Sequence, residues 1–265
     1  MKKPDLKSLK NFFHRNRPYE TGLVLSGGGA RGFAHAGILK AMHEADIHPD
    51  IISGVSAGAI VGALYADGYT PDEIHEIFRK GSSFFNYVRI TMPRTGMFKA
   101  VGLRESLQKY LKAKSFEDLD RPLFVAATNM NRGKIVYFNS GALLDAVMAS
   151  AAIPVLLEPI NIAGDWYSDG GILDNFPVAP IQKKCKRLIG ISLNPVREEY
   201  DLKGLMKMAE RTYRLSVSSH IGPKIAACDM VFEPGEMGQF GLLDASKGQE
   251  MFELGYRVAH DKLQK

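Results

Sequence analysis

The chain has 265 residues, 45% of them hydrophobic and 24% charged, which suits one globular α/β domain with a well-buried core. Its longest apolar runs fall far short of the roughly 20 residues that cross a bilayer, so no spanning helix is expected. The two cysteines, Cys185 and Cys228, predict a reducing cytoplasm rather than a disulfide framework.

The N-terminal segment, residues 1–18, is distinguished by its charge. Its first 17 residues carry a net charge of +5, equal to that of the whole chain, with leucines and phenylalanines interleaved. This pattern is typical of a basic amphipathic helix that touches anionic lipid. A solvated, frayed tail is the plainer interpretation, and we prefer it. No apolar stretch follows the charges as in a secretory signal, so we expect a cytoplasmic protein, with peripheral contact at the inner membrane surface if residues 1–17 bind lipid.

Residues 19–265 alternate short apolar stretches with amphipathic ones. This alternation predicts a single-domain α/β three-layer sandwich with a mostly parallel central sheet. The predicted strands are Gly22–Leu25, Ile51–Ile52, Leu123–Asn129, Lys134–Phe138, Ile160–Ile162, Asp165–Tyr167, Arg187–Leu193 and Met230–Glu233. The predicted helices are Phe33–Glu44, Ala57–Asp67, Pro71–Arg79, Leu103–Tyr110, Leu143–Ala151, Leu202–Ser218 and Ala245–Leu263.

A glycine-rich loop follows the first predicted strand and contains Gly27, Gly28, Gly29 and Arg31. Three consecutive glycines leave backbone amides uncovered, and the next helix turns the positive end of its dipole toward the same place. The loop could therefore stabilise the oxyanion of an acyl-transfer reaction, with Arg31 as an additional fixed charge.

Two other interpretations of this loop are open. Gly27, Gly29 and Gly32 match the spacing of a dinucleotide-binding fingerprint, with Asp46 and Asp50 as acidic residues further on. In the other interpretation, the loop only connects the strand to the helix and binds no ligand. Neither accounts for the two motifs that follow, so we favour the oxyanion interpretation.

Ser56 lies in a G-x-S-x-G pentapeptide between a short apolar stretch and a predicted helix. Such a pentapeptide exposes a nucleophilic hydroxyl on a sharp strand-to-helix turn. Gly54 and Gly58 would allow the close approach that this turn needs. By itself the pentapeptide is a weak signal, and the surrounding motifs add the specificity.

Asp169 is followed by Gly170 and Gly171, which would support a tight turn after a predicted hairpin. A lone Asp-Gly is usually a hairpin turn, but Ser56 needs a base. His220 and His260 would complete the chain order of a conventional triad. Both lie in helix-like stretches without turn signals, where a solvated histidine is the expected role.

Residues 81–101 lose clear periodicity and are rich in aromatic and methionine side chains. They could form a mobile apolar flap over an acyl-chain groove. A loop whose aromatic residues cap the core would have the same composition, and the sequence does not choose between the two.

In combination, these motifs resemble the patatin-like phospholipase family, in particular bacterial members similar to the catalytic domain of neuropathy target esterase. The resemblance covers roughly residues 19–180 and includes the block Ala149–Pro154 before the aspartate. It implies a Ser-Asp dyad of Ser56 and Asp169 and a glycine-rich oxyanion hole, with no histidine required.

The implied function is a serine acyl hydrolase that acts on phospholipid, lysophospholipid or simpler acyl esters. We expect no metal, no cofactor and no nucleic-acid partner, and the sequence does not predict an oligomeric state. A regulatory or binding protein on the same fold, with little or no turnover, is the alternative.

Overall fold

The computed structural model describes residues 17–81, 89–90, 98–99, 101–154, 156–195, 198, 200, 203–218 and 221–265. The strands are β1 Tyr19–Leu25, β2 Ile51–Val55, β3 Arg89–Ile90, β4 Phe98–Lys99, β5 Leu123–Asn129, β6 Lys134–Phe138, β7 Ile160–Ile162, β8 Asp165–Asp169, β9 Cys185–Ile191 and β10 Met230–Phe232. The helices are α1 Gly32–Glu44, α2 Ala57–Ala66, α3 Pro71–Gly81, α4 Val101–Tyr110, α5 Leu143–Ala151, α6 Leu205–Ser218, α7 Gly222–Ile225 and α8 Gly248–Leu263.

Eight strands form one mixed sheet in the order β10-β9-β1-β2-β5-β8-β7, and β6 also pairs with β5. The strands from β10 to β5 run parallel, whereas β6, β7 and β8 add antiparallel hairpin pairs at one side. Parallel strands align their carboxyl ends along one edge, which is where open α/β folds place their sites.

Both faces of the sheet are covered, which explains why its central strands are almost wholly apolar. The larger core packs α1, α2, α3 and α8 against β1, β2 and β5. A smaller core on the other face gathers around Phe176, which is fully buried. The predicted fold, a single α/β domain with a mostly parallel sheet between helical layers, is confirmed.

Some strands and helices begin or end at other residues than predicted. β9 was predicted to continue to Leu193 but ends at Ile191, because Leu193 N–H leaves the ladder and donates to Ser26 Oγ. The last helix was predicted from Ala245, but Ala245–Lys247 is a separate 3₁₀ turn. Apolar content alone does not indicate such local hydrogen bonds.

Most of the segment predicted as a flap or core-capping loop lies outside the described residues, as do residues 1–16 of the basic N-terminal segment. The short strands β3 and β4, which pair with each other in that aperiodic segment, were not predicted. In the described parts of the chain, no helix is long and apolar enough to cross a membrane.

Candidate active site

Two strand ends meet at one edge of the central strand β5. β2 pairs with the first half of β5, up to Val55 opposite Ala126, and β8 pairs with the second half, beginning with Asp169 opposite Ala127. Because β6 occupies the other edge of β5 across both halves, β2 and β8 share the same edge. Their carboxyl ends therefore converge, and the structure brings Ser56 and Asp169 to adjacent backbone positions.

The contact between these two strand ends depends on Gly170. A Cβ at this position would lie 2.3 Å from Ala126 O and 2.9 Å from Val55 Cγ2. A side chain at position 170 would push the two strand ends apart. The 3₁₀ turn Gly170–Ile172 then leads the chain away from the sheet.

Ser56 occupies the sharp turn between β2 and α2. Its φ of 54° and ψ of −124° are unusual for a residue with a side chain, and such backbone strain is concentrated at functional sites. Its carbonyl accepts the amides of Ala59 and Ile60, whereas its side chain caps no helix amide. Its hydroxyl is thus not used as a helix cap and sits at the positive end of the α2 dipole.

The glycines on either side of Ser56 allow the turn to pack. A Cβ at Gly54 would lie 2.4 Å from Gly58 O, and a Cβ at Gly58 would lie 2.4 Å from Leu25 O. Both contacts are with backbone atoms that cannot move without displacing β1 or α2. At both positions the backbone packs too closely to leave room for a side chain.

The end of α5 holds both residues of the predicted dyad. Ser150 Oγ accepts the amide of Ser56 at 2.8 Å and donates to Ala126 O at 2.6 Å. Two residues later, Ala152 O accepts the amide of Asp169 at 2.8 Å. One short segment therefore fixes the backbone of the serine and of the aspartate at the same time.

Asp169 is completely buried, while Ser56 is 4% exposed. The Oδ1 atom of Asp169 accepts the amide of Gly171 at 2.7 Å, and the carbonyl oxygen accepts the Thr128 hydroxyl at 2.9 Å. The first bond orients the carboxylate, and the second holds the backbone of Asp169. The role of Gly171 in a supporting turn stays a prediction, and the hydrogen bond from its amide is consistent with it.

The glycine-rich loop lies directly beside Ser56. A Cβ at Gly27 would be 3.2 Å from Ser56 Cβ. The Gly27 carbonyl accepts Ser26 Oγ at 2.9 Å and Asn194 Nδ2 at 2.6 Å. Because a trans peptide points its N–H opposite to its C=O, these two bonds direct the Gly28 amide to the other side.

The loop amides are available for a ligand. In the described part of the chain, the N–H groups of Gly27, Gly28 and Gly29 donate no hydrogen bond. Gly29 has a φ of 57°, and a Cβ there would lie 2.4 Å from Leu242 O. The loop is therefore a preorganised row of donors at the carboxyl edge of β1, suited to an anion.

Arg31 is fully buried and ties this loop to two other segments. Its Nε and Nη2 donate to Phe240 O at 3.1 and 2.6 Å, and Nη1 donates to Leu193 O at 3.1 Å and to Asn194 Oδ1 at 3.4 Å. The guanidinium thus holds the start of α1 in place. Its direct action on an oxyanion stays a prediction.

The acidic residues of the dinucleotide interpretation lie at the wrong end of the sheet. Asp46 and Asp50 both precede β2, and Asp50 Oδ2 accepts the amide of Thr21 near the start of β1. The glycine loop follows the opposite, carboxyl end of β1. A dinucleotide fold needs its acidic residue near the glycine loop, so this interpretation is not supported.

The alternative triad histidines give no competing arrangement in the described residues. His260 lies in the last turns of α8, where its ring stacks on Tyr256 at 5.7 Å and its Nδ1 is 3.8 Å from Asp261. This is the solvated helix position that was predicted for it. His220 lies outside the described residues.

Three polar residues of the site were missed by sequence reasoning: Ser150, Asn175 and Asn194. Ser150 lies in the block Ala149–Pro154 that resembles the family, but nothing in that pattern marks its own role. Asn175 follows the Asp-Gly-Gly turn and packs against Gly27, and its place close after that motif was a signal that could have been used. Asn194 follows β9 without a motif, so only the fold shows its contact with Gly27.

The chain is similar to known proteins in sequence and in fold. A family model described as patatin-like phospholipase matches residues 23–181. Lysophospholipase NTE1 of Kluyveromyces lactis is 28% identical over 274 residues, which cover 92% of this chain and 19% of that protein. An uncharacterised NTE family protein of Mycobacterium tuberculosis is 35% identical over 176 residues, covering 65% of this chain and 48% of its own length.

Among solved structures, VipD from Legionella pneumophila has the same fold, with a TM-score of 0.54 and 16% identity. The alignment covers 93% of this chain and 67% of that one. The chain spans about half or less of the length of the two curated relatives above.

Proposed function

Since the chain belongs to the patatin-like phospholipase family, we propose that it is a serine acyl hydrolase of lipid carboxylic esters with a dyad of Ser56 and Asp169. The observation that carries the proposal is the convergence of the carboxyl ends of β2 and β8 on one edge of β5. This convergence puts a strained serine and a buried carboxylate beside a row of unused amides.

In the proposed reaction, Asp169 accepts the proton of the Ser56 hydroxyl as the oxygen attacks the ester carbonyl. The amides of the Gly27–Gly29 loop stabilise the negative charge that develops on the carbonyl oxygen. The proton then passes to the departing alcohol, which leaves an acyl group on Ser56. Asp169 activates a water molecule in the same way, and the acid is released.

We infer that the substrate is an ester of a long acyl chain. Leu173 lies directly after the Asp169 turn and is 45% exposed, and Leu243 is 47% exposed. Leu243 follows Leu242, whose carbonyl accepts the amide of Ala30 in the glycine loop. In the proposal, these two leucines, one after the Asp169 turn and one next to the glycine loop, contact the acyl chain of the substrate. The lysophospholipase name of one relative supports the same class of substrate.

A panel of esters tests the proposal. Release of free fatty acid from lysophosphatidylcholine and phosphatidylcholine, and of nitrophenol from p-nitrophenyl butyrate, should depend on Ser56 and Asp169. We expect Ser56→Ala and Asp169→Asn each to lower kcat by about a thousandfold or more, with far-ultraviolet circular dichroism unchanged.

His220→Ala and His260→Ala are the matched controls, and both should keep wild-type turnover. Full activity of Asp169→Asn together with loss of activity in either histidine variant would replace the dyad by a conventional triad. Absence of turnover on every ester by a folded wild-type protein would favour the regulatory or binding role instead.

A further inference from the structure

The side chain of Asn175 is a buried hydrogen-bond donor without a partner. Asn175 is 5% exposed, and its Nδ2 group makes no hydrogen bond in the described part of the chain. Buried amide groups in folded proteins are almost always paired, so an exception calls for a physical explanation.

Asn175 lies against the glycine loop beside the nucleophile. A Cβ at Gly27 would be 2.4 Å from Asn175 Oδ1 and 3.2 Å from Ser56 Cβ. The amide group of Asn175 and the Ser56 side chain thus pack against the same side of Gly27. The absence of a side chain at Gly27 keeps the space between them open.

The backbone on either side of Asn175 is firmly held. Asp174 accepts hydrogen bonds from Tyr137 Oη at 2.6 Å, Lys224 Nζ at 2.6 Å and the Phe176 amide at 3.1 Å. Phe176 is fully buried in the smaller core. These contacts fix the backbone that carries the Asn175 side chain.

A second asparagine nearby shows what a purely structural amide does in this site. Asn194 Nδ2 donates to the Gly27 carbonyl at 2.6 Å, and its Oδ1 accepts from Arg31. The amide of Asn194 is thus used in the resting protein, whereas Nδ2 of Asn175 is not. A fixed donor that is unused at rest suits a negative charge that forms only during the reaction.

We propose that Asn175 is a catalytic residue whose Nδ2 donates to the oxyanion of the tetrahedral intermediate, alongside the amides of the Gly27–Gly29 loop. The inference rests on the proposed acyl hydrolase function and adds a side-chain member to its oxyanion hole. The donor is unsatisfied in the resting protein. Its removal should therefore reduce the stabilisation of the transition state without lowering the stability of the folded protein.

The test compares Asn175→Leu, which keeps the approximate shape and removes the donor, with Asn139→Leu on the exposed loop after β6 as a matched control. With p-nitrophenyl butyrate, we expect Asn175→Leu to lower kcat by about a hundredfold or more, with KM changed by less than about twofold. The affinity for a trifluoromethyl ketone, which forms a tetrahedral adduct on serine, should fall by a similar factor. The midpoint of thermal unfolding should stay the same or rise.

A structural role of Asn175 predicts the opposite pattern. A lower unfolding midpoint with wild-type kcat would overturn the inference. A rise in KM by the same factor as the fall in kcat would overturn it as well. If Asn175→Leu does not fold, the near-isosteric Asn175→Asp replaces it. Wild-type turnover by Asn175→Asp would also overturn the inference. Lack of Ser56-dependent turnover in the wild type would instead reject the proposed function, so the two failures are distinguishable.

Discussion

His35 should make the stability of this protein depend on pH below neutrality. It lies on α1, is completely buried, and its Nε2 is 2.9 Å from Ser26 O at the start of the glycine loop. A carbonyl can only accept, so Nε2 carries the ring proton. Nδ1 has no hydrogen-bond partner among the described residues, and a second proton there would be buried without an acceptor.

The magnitude follows from the pKa of His35, which burial lowers from 6.5 to about 4 despite the opposing hydrogen bond to Ser26. Between these two values the unfolded chain binds more protons than the folded one, so the free energy of unfolding falls as the pH falls. A gap of about 2.5 units corresponds to about 3 kcal/mol in full. Roughly 2 kcal/mol of this should be lost between pH 8 and pH 5.

Urea unfolding of the wild type and of His35→Gln at pH 8 and pH 5 measures the contribution of His35 to the pH dependence of the free energy of unfolding. The glutamine amide can still donate to Ser26 O but does not titrate, so the variant should lose about 2 kcal/mol less than the wild type over this range. Burial also lowers the pKa values of His43 and His75, but these contributions cancel in the comparison. An equal pH dependence of the two proteins would refute the reasoning, as would an NMR titration in which the His35 ring protonates near pH 6.5.

Two further predictions concern Ser56 and Arg31. Ser56→Gly should be more stable to urea than Ser56→Ala by about 1 kcal/mol, because glycine adopts a φ of 54° without strain; equal stabilities would mean that the turn is not strained. Arg31→Met should lower the free energy of unfolding by about 3 kcal/mol or more, since it leaves the buried carbonyls of Leu193 and Phe240 without their donor. Arg257→Met, which removes an exposed ion pair with Glu236, is the control and should change the free energy of unfolding by less than about 1 kcal/mol. Similar losses in Arg31→Met and Arg257→Met would contradict the structural role of Arg31.

Much of the fold was predictable because its elements are locally encoded. β5, β6 and α5 have the bounds that their apolar patterns predicted. The motifs and the resemblance predicted that Ser56 and Asp169 would act as a pair. They did not predict that β2 and β8 share one edge of β5, because strand order depends on pairing between segments far apart in the chain.

The parts of the site that were missed depend on such distant contacts. Asn194 meets Gly27 only because β9 lies beside β1, and no local pattern marks it. Arg31 was expected to act as a charge near the loop, whereas its described bonds go to the carbonyls of Leu193 and Phe240 and to the side chain of Asn194, all more than 160 residues away. Residue type and spacing indicate a chemical class, but the partner of a side chain follows from the tertiary structure.

Covalent labelling of Ser56 tests the central claim most directly. The protein is incubated with a fluorophosphonate, and the modified residue and its rate of modification are measured by mass spectrometry in the wild type and in Asp169→Asn. We expect one phosphonate per chain, on Ser56, with a rate at least about a hundredfold lower when the Asp169 carboxylate is replaced. Modification at another residue, or an equal rate in the two proteins, would contradict the Ser56 and Asp169 dyad.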